Sequence, residues 1–285
     1  MLEWNKENRF AAFVAATSAA VFIIDLRHGV HRDGFLEPAW SMLLYVAFPL
    51  LLISVLEAKH RSRAAIFAIV GLIGVVAVAS YWSWLDPASN HRIRGDKVFY
   101  RDQYFVQNKI HMVYAAAICM GLALAAAKAG KTDLRKWGLG LGDWRWWVPK
   151  TGILILCIVP LIGIGAVLSP ELREFYPEIK KAKESVGGLV SYQIGNGFYM
   201  AAWEWFFRGF LLFGIYRHWG TIPAILLQAY PFMIMHKTKP ELEMAASFVG
   251  AILLGLFCLR ARCFWPAFLL HWILNINMEI VGFIW

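Results

Sequence analysis

Charge is scarce in this chain. Asp, Glu, Lys and Arg make up 16% of its 285 residues, against about 25% in an ordinary soluble domain. Hydrophobic residues make up 59%, more apolar surface than a single core of this size can hide from water. A bilayer can take it. Cysteine is scarcer still, four residues in all. Cys119, Cys157 and Cys258 lie within apolar runs and Cys263 at the start of one. Their spacing suggests neither a zinc site nor a disulfide framework, so they read as small buried hydrophobes. Tandem repeats, low-complexity tracts and a separable soluble domain are all missing. The net charge of +9 does not point to nucleic acid, because the basic residues stand in short runs between apolar segments. Lys59-His60-Arg61-Ser62-Arg63 is one such run. That placement suits loops that face anionic lipid headgroups.

What is present is a series of apolar runs long enough to span. A transmembrane helix needs about 20 mostly apolar residues, and the pattern predicts an all-α, polytopic transmembrane bundle of eight or nine spans. They fall near 9–26, 40–57, 64–85, 110–128, 147–168, 192–216, 219–236, 243–259 and 264–284. The first is short enough to be interfacial. The residues ahead of it are of mixed charge and no small-residue cleavage site follows, so it reads as retained rather than as a removed signal peptide. Lys and Arg divide almost evenly between the two sides of a nine-span chain. The dense basic loop at 59–63 and the basic stretch at 128–150 share the N-terminal side, and on them the N-terminus reads as cytoplasmic. Three polar stretches separate the spans, at 86–109, 129–146 and 169–191. In the second, Trp137, Trp144, Trp146 and Trp147 read as an aromatic belt at headgroup level. In the third, Pro170 to Ser185 reads as an amphipathic segment lying on the membrane surface.

Ionisable groups inside a span cost several kcal/mol unless paired, which makes each a functional candidate. Here they gather late in the chain. Glu204 and Arg208 are four apart and share a helix face; taken alone they are equally a structural ion pair. His236 closes the next span. His271 and Asn275 share a face of the last one, and Glu279 continues it. Alone, such a pair is equally glue between helices. Together they are the parts of a peptide hydrolase: Glu204 to activate water, a His to relay the proton, His271 with Asn275 to hold an oxyanion. No Ser or Cys adjoins a plausible base, which disfavours a covalent nucleophile. Glu204, His236 and His271 would also suit zinc with an open fourth position, but the His-Glu-x-x-His pattern is absent. No cofactor is therefore assigned. A small-solute transporter would predict paired broken helices or a repeat between halves, and neither is found.

Trp203-Glu204-x-x-x-Arg208-Gly209, Phe232-x-x-x-His236 and His271-x-x-x-Asn275 resemble, in order, the three motifs of the CAAX protease and bacteriocin-processing family, the glutamic-type intramembrane proteases also called the Abi family. The resemblance covers roughly 190–285, with a weaker echo in Gly138-Leu139-Gly140-Leu141 and in His236-Lys237-Thr238-Lys239-Pro240. It implies a division into N-terminal transmembrane helices, 1–128, and a protease domain, 129–285, whose core motifs span 196–280. It implies a bacterial inner-membrane endopeptidase acting on a protein or peptide substrate among membrane lipids. Glu204, His236, His271 and Asn275 would be catalytic, with Arg208, Trp203, Phe232 and Glu279 in support. One position departs from the family. Its first motif usually begins Glu-Glu, and the first Glu is usually assigned water activation; here that position is Trp203. A shift of one residue turns a side chain about 100° around a helix. Three readings follow: Glu204 takes over as base, Glu279 supplies the second acid, or the protein is a catalytically silent relative that binds a membrane partner.

Overall fold

A computed structural model describes residues 133–284, apart from 179–183, 235, 237 and 238, together with Gly121 and Leu124. The spans expected at 9–26, 40–57, 64–85 and 110–128, and Cys119, lie outside the described residues, those two positions aside. The described part is helical, with no strand. A 3-10 turn, Leu134–Trp137, leads into α1 (Trp144–Leu168) and the short α2 (Pro170–Phe175). Then come α3 (Val186–Glu204), a π-helical segment (Trp205–Leu211) and α4 (Leu212–Trp219), which follow one another without a break. α5 (Thr221–Ile234), α6 (Glu241–Ala261) and α7 (Trp265–Ile284) complete the bundle.

Among the described residues two helices, Trp144–Leu168 and Leu242–Ala261, are long and apolar enough to cross a membrane. The 25 residues of α1 reach about 38 Å at 1.5 Å each, more than the roughly 30 Å of a hydrocarbon core. Polarity runs inside out. On α3, Val190, Ile194 and Phe198 are exposed, whereas Gln193, Asn196 and Glu204 are buried. Ile153, Leu156, Leu161, Ile164 and Leu168 of α1 are exposed as well. In water such an arrangement would cost about 25 cal/mol for every Å² of apolar surface left wet; against lipid tails it costs nothing.

Ser185 caps α3, its Oγ accepting from the Gly188 N–H at 3.0 Å, which satisfies one of the orphan donors of a helix start. Gly142 lies at φ +56°, where a Cβ would collide with the Ala261 carbonyl oxygen. This is why the Gly-Leu segment can lie on the α6–α7 turn. Gly138 O accepts from the Phe264 N–H there, at 3.2 Å.

The aromatic belt is half core. Trp144 is exposed, but Trp137 and Trp147 are buried. Trp137 packs edge-on to Phe210 with ring centroids 4.5 Å apart, and Trp147 Nε1 donates to Leu141 O at 2.9 Å. Of the segment expected at the membrane surface, 179–183 lie outside the described residues, and 170–178 pack on the bundle. α2 is only six residues long, and Leu172 and Tyr176 enter a small core with Met278 of α7. Beyond it a polar clasp ties the chain down. Tyr176 Oη donates to Glu243 Oε1 at 2.8 Å, Lys239 Nζ to Glu178 Oε2 at 2.8 Å, and the Glu178 N–H to Glu279 Oε1 at 3.0 Å. A Cβ on Gly282 would collide with the Tyr176–Pro177 backbone, so the contact is close in the main chain too.

Burial pushes the Tyr176 phenol well above its ordinary pKa, reinforced by Glu243 and Glu178. For Lys239 burial pulls the other way, and Glu178 and Glu243 overcome it to hold the ammonium above its usual range. Both folded-state pKa values are raised, so both groups lend stability that is full below their unfolded values, roughly 10, and is lost as pH rises through the folded ones. The clasp is therefore expected to hold at neutral pH and to loosen in strong alkali. Lys239→Ala should open it at neutral pH, at a cost of roughly 1–3 kcal/mol for the acceptors left behind. Trypsin cleavage after Arg173 is the measurement; a cutting rate equal to the parent's would show that Lys239 does not hold the segment.

Candidate active site

The site is built where α3, the π segment, α5 and α7 meet. On α3 the buried positions Gln193, Asn196, Met200, Trp203 and Glu204 follow helical spacing and form one inward face. The chain then winds as a π-helix from Trp205 to Leu211, a form that inserts an extra residue per turn and recurs at functional sites. Glu204 is its N-cap, so the acid stands at the point where the winding changes. Trp205 Nε1 donates to Trp137 O at 3.2 Å, which ties the segment to the 3-10 turn.

Glu204 and Arg208 are both 0% exposed. Arg208 Nη1 donates to Glu204 Oε1 at 3.1 Å and lies 3.0 Å from Oε2. The second contact is an ion pair without hydrogen-bond alignment, for Oε2 accepts no hydrogen bond. Arg208 also lies over the Phe232 ring, its Cζ 3.8 Å from the centroid, a cation–π contact worth about 2 kcal/mol when dry. Phe232 thus has a physical role in its motif: it forms the floor under the guanidinium.

His271 reaches across from α7, and its Nδ1 lies 2.5 Å from Glu204 Oε1. A carboxylate only accepts, so Nδ1–H donates and the other ring nitrogen, Nε2, faces elsewhere. His236 has its own anchor. Its Nδ1 lies 2.8 Å from Phe232 O; a carbonyl also only accepts, which leaves Nε2 with its lone pair. The His236 and His271 rings lie nearly parallel, 30° apart with centroids separated by 6.1 Å. Asn275, one turn beyond His271, accepts at Oδ1 from Asn196 Nδ2 at 2.8 Å.

Six of the eight residues singled out in the sequence are thus adjacent: Glu204, Arg208, Phe232, His236, His271 and Trp203. Asn275 adjoins them on the His271 face. Glu279 does not join them. It lies about 12 Å along α7 from His271, in the Tyr176–Lys239 clasp, where it accepts from the Glu178 N–H. The second-acid reading of Glu279 therefore finds no support in its placement. Trp203 is 8% exposed and its indole belongs to an aromatic cluster, 4.9 Å from Phe207 and 5.5 Å from Tyr199 by centroids. An aromatic wall stands where the family carries an acid. Among the described residues no three of His, Cys, Asp and Glu are grouped so that they could hold a metal ion; Glu204 Oε1 is engaged by His271 instead. Gln193 and Asn196 were not singled out. Their signal was present, since Asn196 precedes Glu204 by eight residues, about two helical turns, on the same face.

Comparison with curated proteins and with solved structures found no match. The motif-bearing part of the chain, residues 192–277, matches the family described as type II CAAX prenyl endopeptidase Rce1-like, the family to which its three motifs point.

Proposed function

We propose that this protein is a glutamic-type endopeptidase of a bacterial inner membrane, hydrolysing a peptide bond near the membrane surface with water activated by Glu204. The observation that carries the reading is the buried Glu204 carboxylate, neutralised by Arg208, hydrogen-bonded to His271, and with one oxygen free of hydrogen bonds. Oε2 lies 3.0 Å from Arg208 Nη1 but accepts no hydrogen bond, and its lone pair is the acceptor that a nucleophilic water needs. His236 Nε2 adds a second acceptor, since Nδ1 is spent on Phe232 O.

The reaction follows from these groups. Glu204 takes a proton as the water oxygen bonds to the scissile carbonyl carbon. The carbonyl electrons move onto oxygen, and the Asn275 amide and a protonated His271 donate to that oxyanion. The proton held by Glu204 then passes to the leaving nitrogen as the C–N bond breaks. His236 steadies the water and the proton in transit. The family match suggests prenylated C-terminal tails as the substrate class.

The test uses the full chain in proteoliposomes with an internally quenched farnesylated peptide ending in a CAAX-type tail. The wild type should cleave it, and His236→Ala should lower kcat by about 10²-fold or more, the usual worth of a positioned proton-transfer group. Equal rates for wild type and His236→Ala would refute the mechanism. One observation favours a second reading, a silent relative that binds a partner: Trp203 fills the place of the family's first acid. On that reading partner binding survives loss of all four polar groups, Glu204, His236, His271 and Asn275, while the fold persists.

A further inference from the structure

We infer that Asn196 is a positioning residue for the Asn275 amide, fixing it so that its N–H₂ group is presented to the oxyanion. The inference rests on the protease reading and adds a residue that lies outside the family's three motifs.

The geometry is a run of three buried amides, Gln193, Asn196 and Asn275, joined by two hydrogen bonds, with Gln193 Nε2 itself unpaired. Asn196 Nδ2 has two hydrogens. One goes to Gln193 Oε1 at 3.3 Å and the other to Asn275 Oδ1 at 2.8 Å. With both hydrogens so placed, the Asn196 amide presents its nitrogen to α7. Asn275 must then turn its oxygen toward α3, because two N–H₂ groups cannot satisfy each other. Its own Nδ2 makes no hydrogen bond to the described residues. That donor is directed away from Asn196, on the helix face it shares with His271. Asn196 is 2% exposed and Asn275 8%, so water does not compete for the bond between them, and a hydrogen bond in such a place orients strongly.

Helix packing keeps the pair in register. Trp272 Nε1 donates to Gln193 O at 3.2 Å, and a Cβ on Gly197 would lie 2.8 Å from the Trp272 ring. α3 and α7 thus meet closely beside the amides. The need for such positioning is specific to this site. His271 gives its Nδ1–H to Glu204, so its Nε2 donates only from the protonated ring. The Asn275 amide donates in every protonation state, provided its nitrogen faces the carbonyl. A freely turning amide would present its oxygen part of the time and repel the oxyanion.

The test is kinetic, with the farnesylated quenched peptide and the full chain in proteoliposomes. Asn196→Ala frees the Asn275 amide, and Asn196→Asp offers only acceptors and pulls the Asn275 N–H₂ away. We expect kcat to fall roughly tenfold in the first and about 10²-fold in the second, the scale of one lost oxyanion donor, with KM within twofold of the parent. In an Asn275→Ala background neither change should lower kcat further, because groups that act as a unit are not additive. Losses that multiply in that background, or a rise in KM at unchanged kcat, would overturn the proposal. A second readout does not require turnover. With ¹⁵N-asparagine labelling in detergent micelles, the side-chain signal that disappears in Asn275→Ala should move in Asn196→Ala. A signal that stays in place overturns the orientation itself. A wild-type chain that leaves the peptide intact overturns the protease reading and the catalytic use of this amide together, and the NMR result then bears on the orientation alone.

Discussion

Glu204→Gln should lower peptide hydrolysis by about 10³-fold or more, a loss at the upper end of what a general base supplies. Gln keeps the shape of the side chain and removes the lone-pair basicity. It also alters two contacts at once. His271 Nδ1, 2.5 Å from Oε1, loses a charged acceptor, and Arg208 loses its counter-ion. The activity loss must therefore be separated from a stability loss. The double variant Glu204→Gln/Arg208→Gln removes both charges and leaves two amides that can bond to each other. It should recover much of the thermal stability lost in the single variant and none of the activity. Activity returning with stability would mean that Glu204 serves the fold and that some other group activates water. Trp203→Glu offers an informative contrast. It restores the family's usual acid in sequence, but replaces an indole packed on Phe207 and Tyr199 with an unpaired buried carboxylate. A gain of activity is not expected, because the surroundings at that position are built for an aromatic ring.

Much of the site was legible because its spacing is local. Glu204 with Arg208, Phe232 with His236, and His271 with Asn275 are each four residues apart, and a helix brings such pairs together whatever surrounds them. The apolar runs that became α1, α5, α6 and α7 were legible for the same kind of reason. What could not be read was set by contacts distant in sequence. Glu204 meets His271 across 67 residues and Asn196 meets Asn275 across 79. Glu279 was linked to His271 by face alone, but a face runs the length of a helix, and the far end of α7 meets a different neighbour. Trp137 and Trp147 looked interfacial by composition; they are buried because Phe210 and the Leu141 carbonyl provide a place for ring and indole N–H. The apolar run at 192–216 looked like one helix, since hydropathy does not register a change from α to π winding. That change falls at the acid, where the family pattern is also broken.

The largest stability effect should come from Arg208→Ala. Arg208 is fully buried, and its truncation leaves the buried Glu204 carboxyl without its counter-ion and with only His271 beside it. Breaking a buried pair from one side costs about 3–5 kcal/mol, which is a large part of the 5–15 kcal/mol that holds a domain together. The lost packing adds to this, because the guanidinium lies 3.8 Å above the Phe232 ring and alanine leaves that face bare. Arg208→Lys separates the contributions. An ammonium is a compact point charge without the planar fork, so it can restore charge balance with Glu204 but covers the ring poorly. The expected order of thermal stability in detergent is parent, then Lys, then Ala. Activity should fall in both variants, since Glu204 is then held less firmly against His271. Should Arg208→Ala unfold at the parental temperature, the pair would be worth little to the fold, and the burial of two opposite charges at this point would have to be explained by the reaction alone.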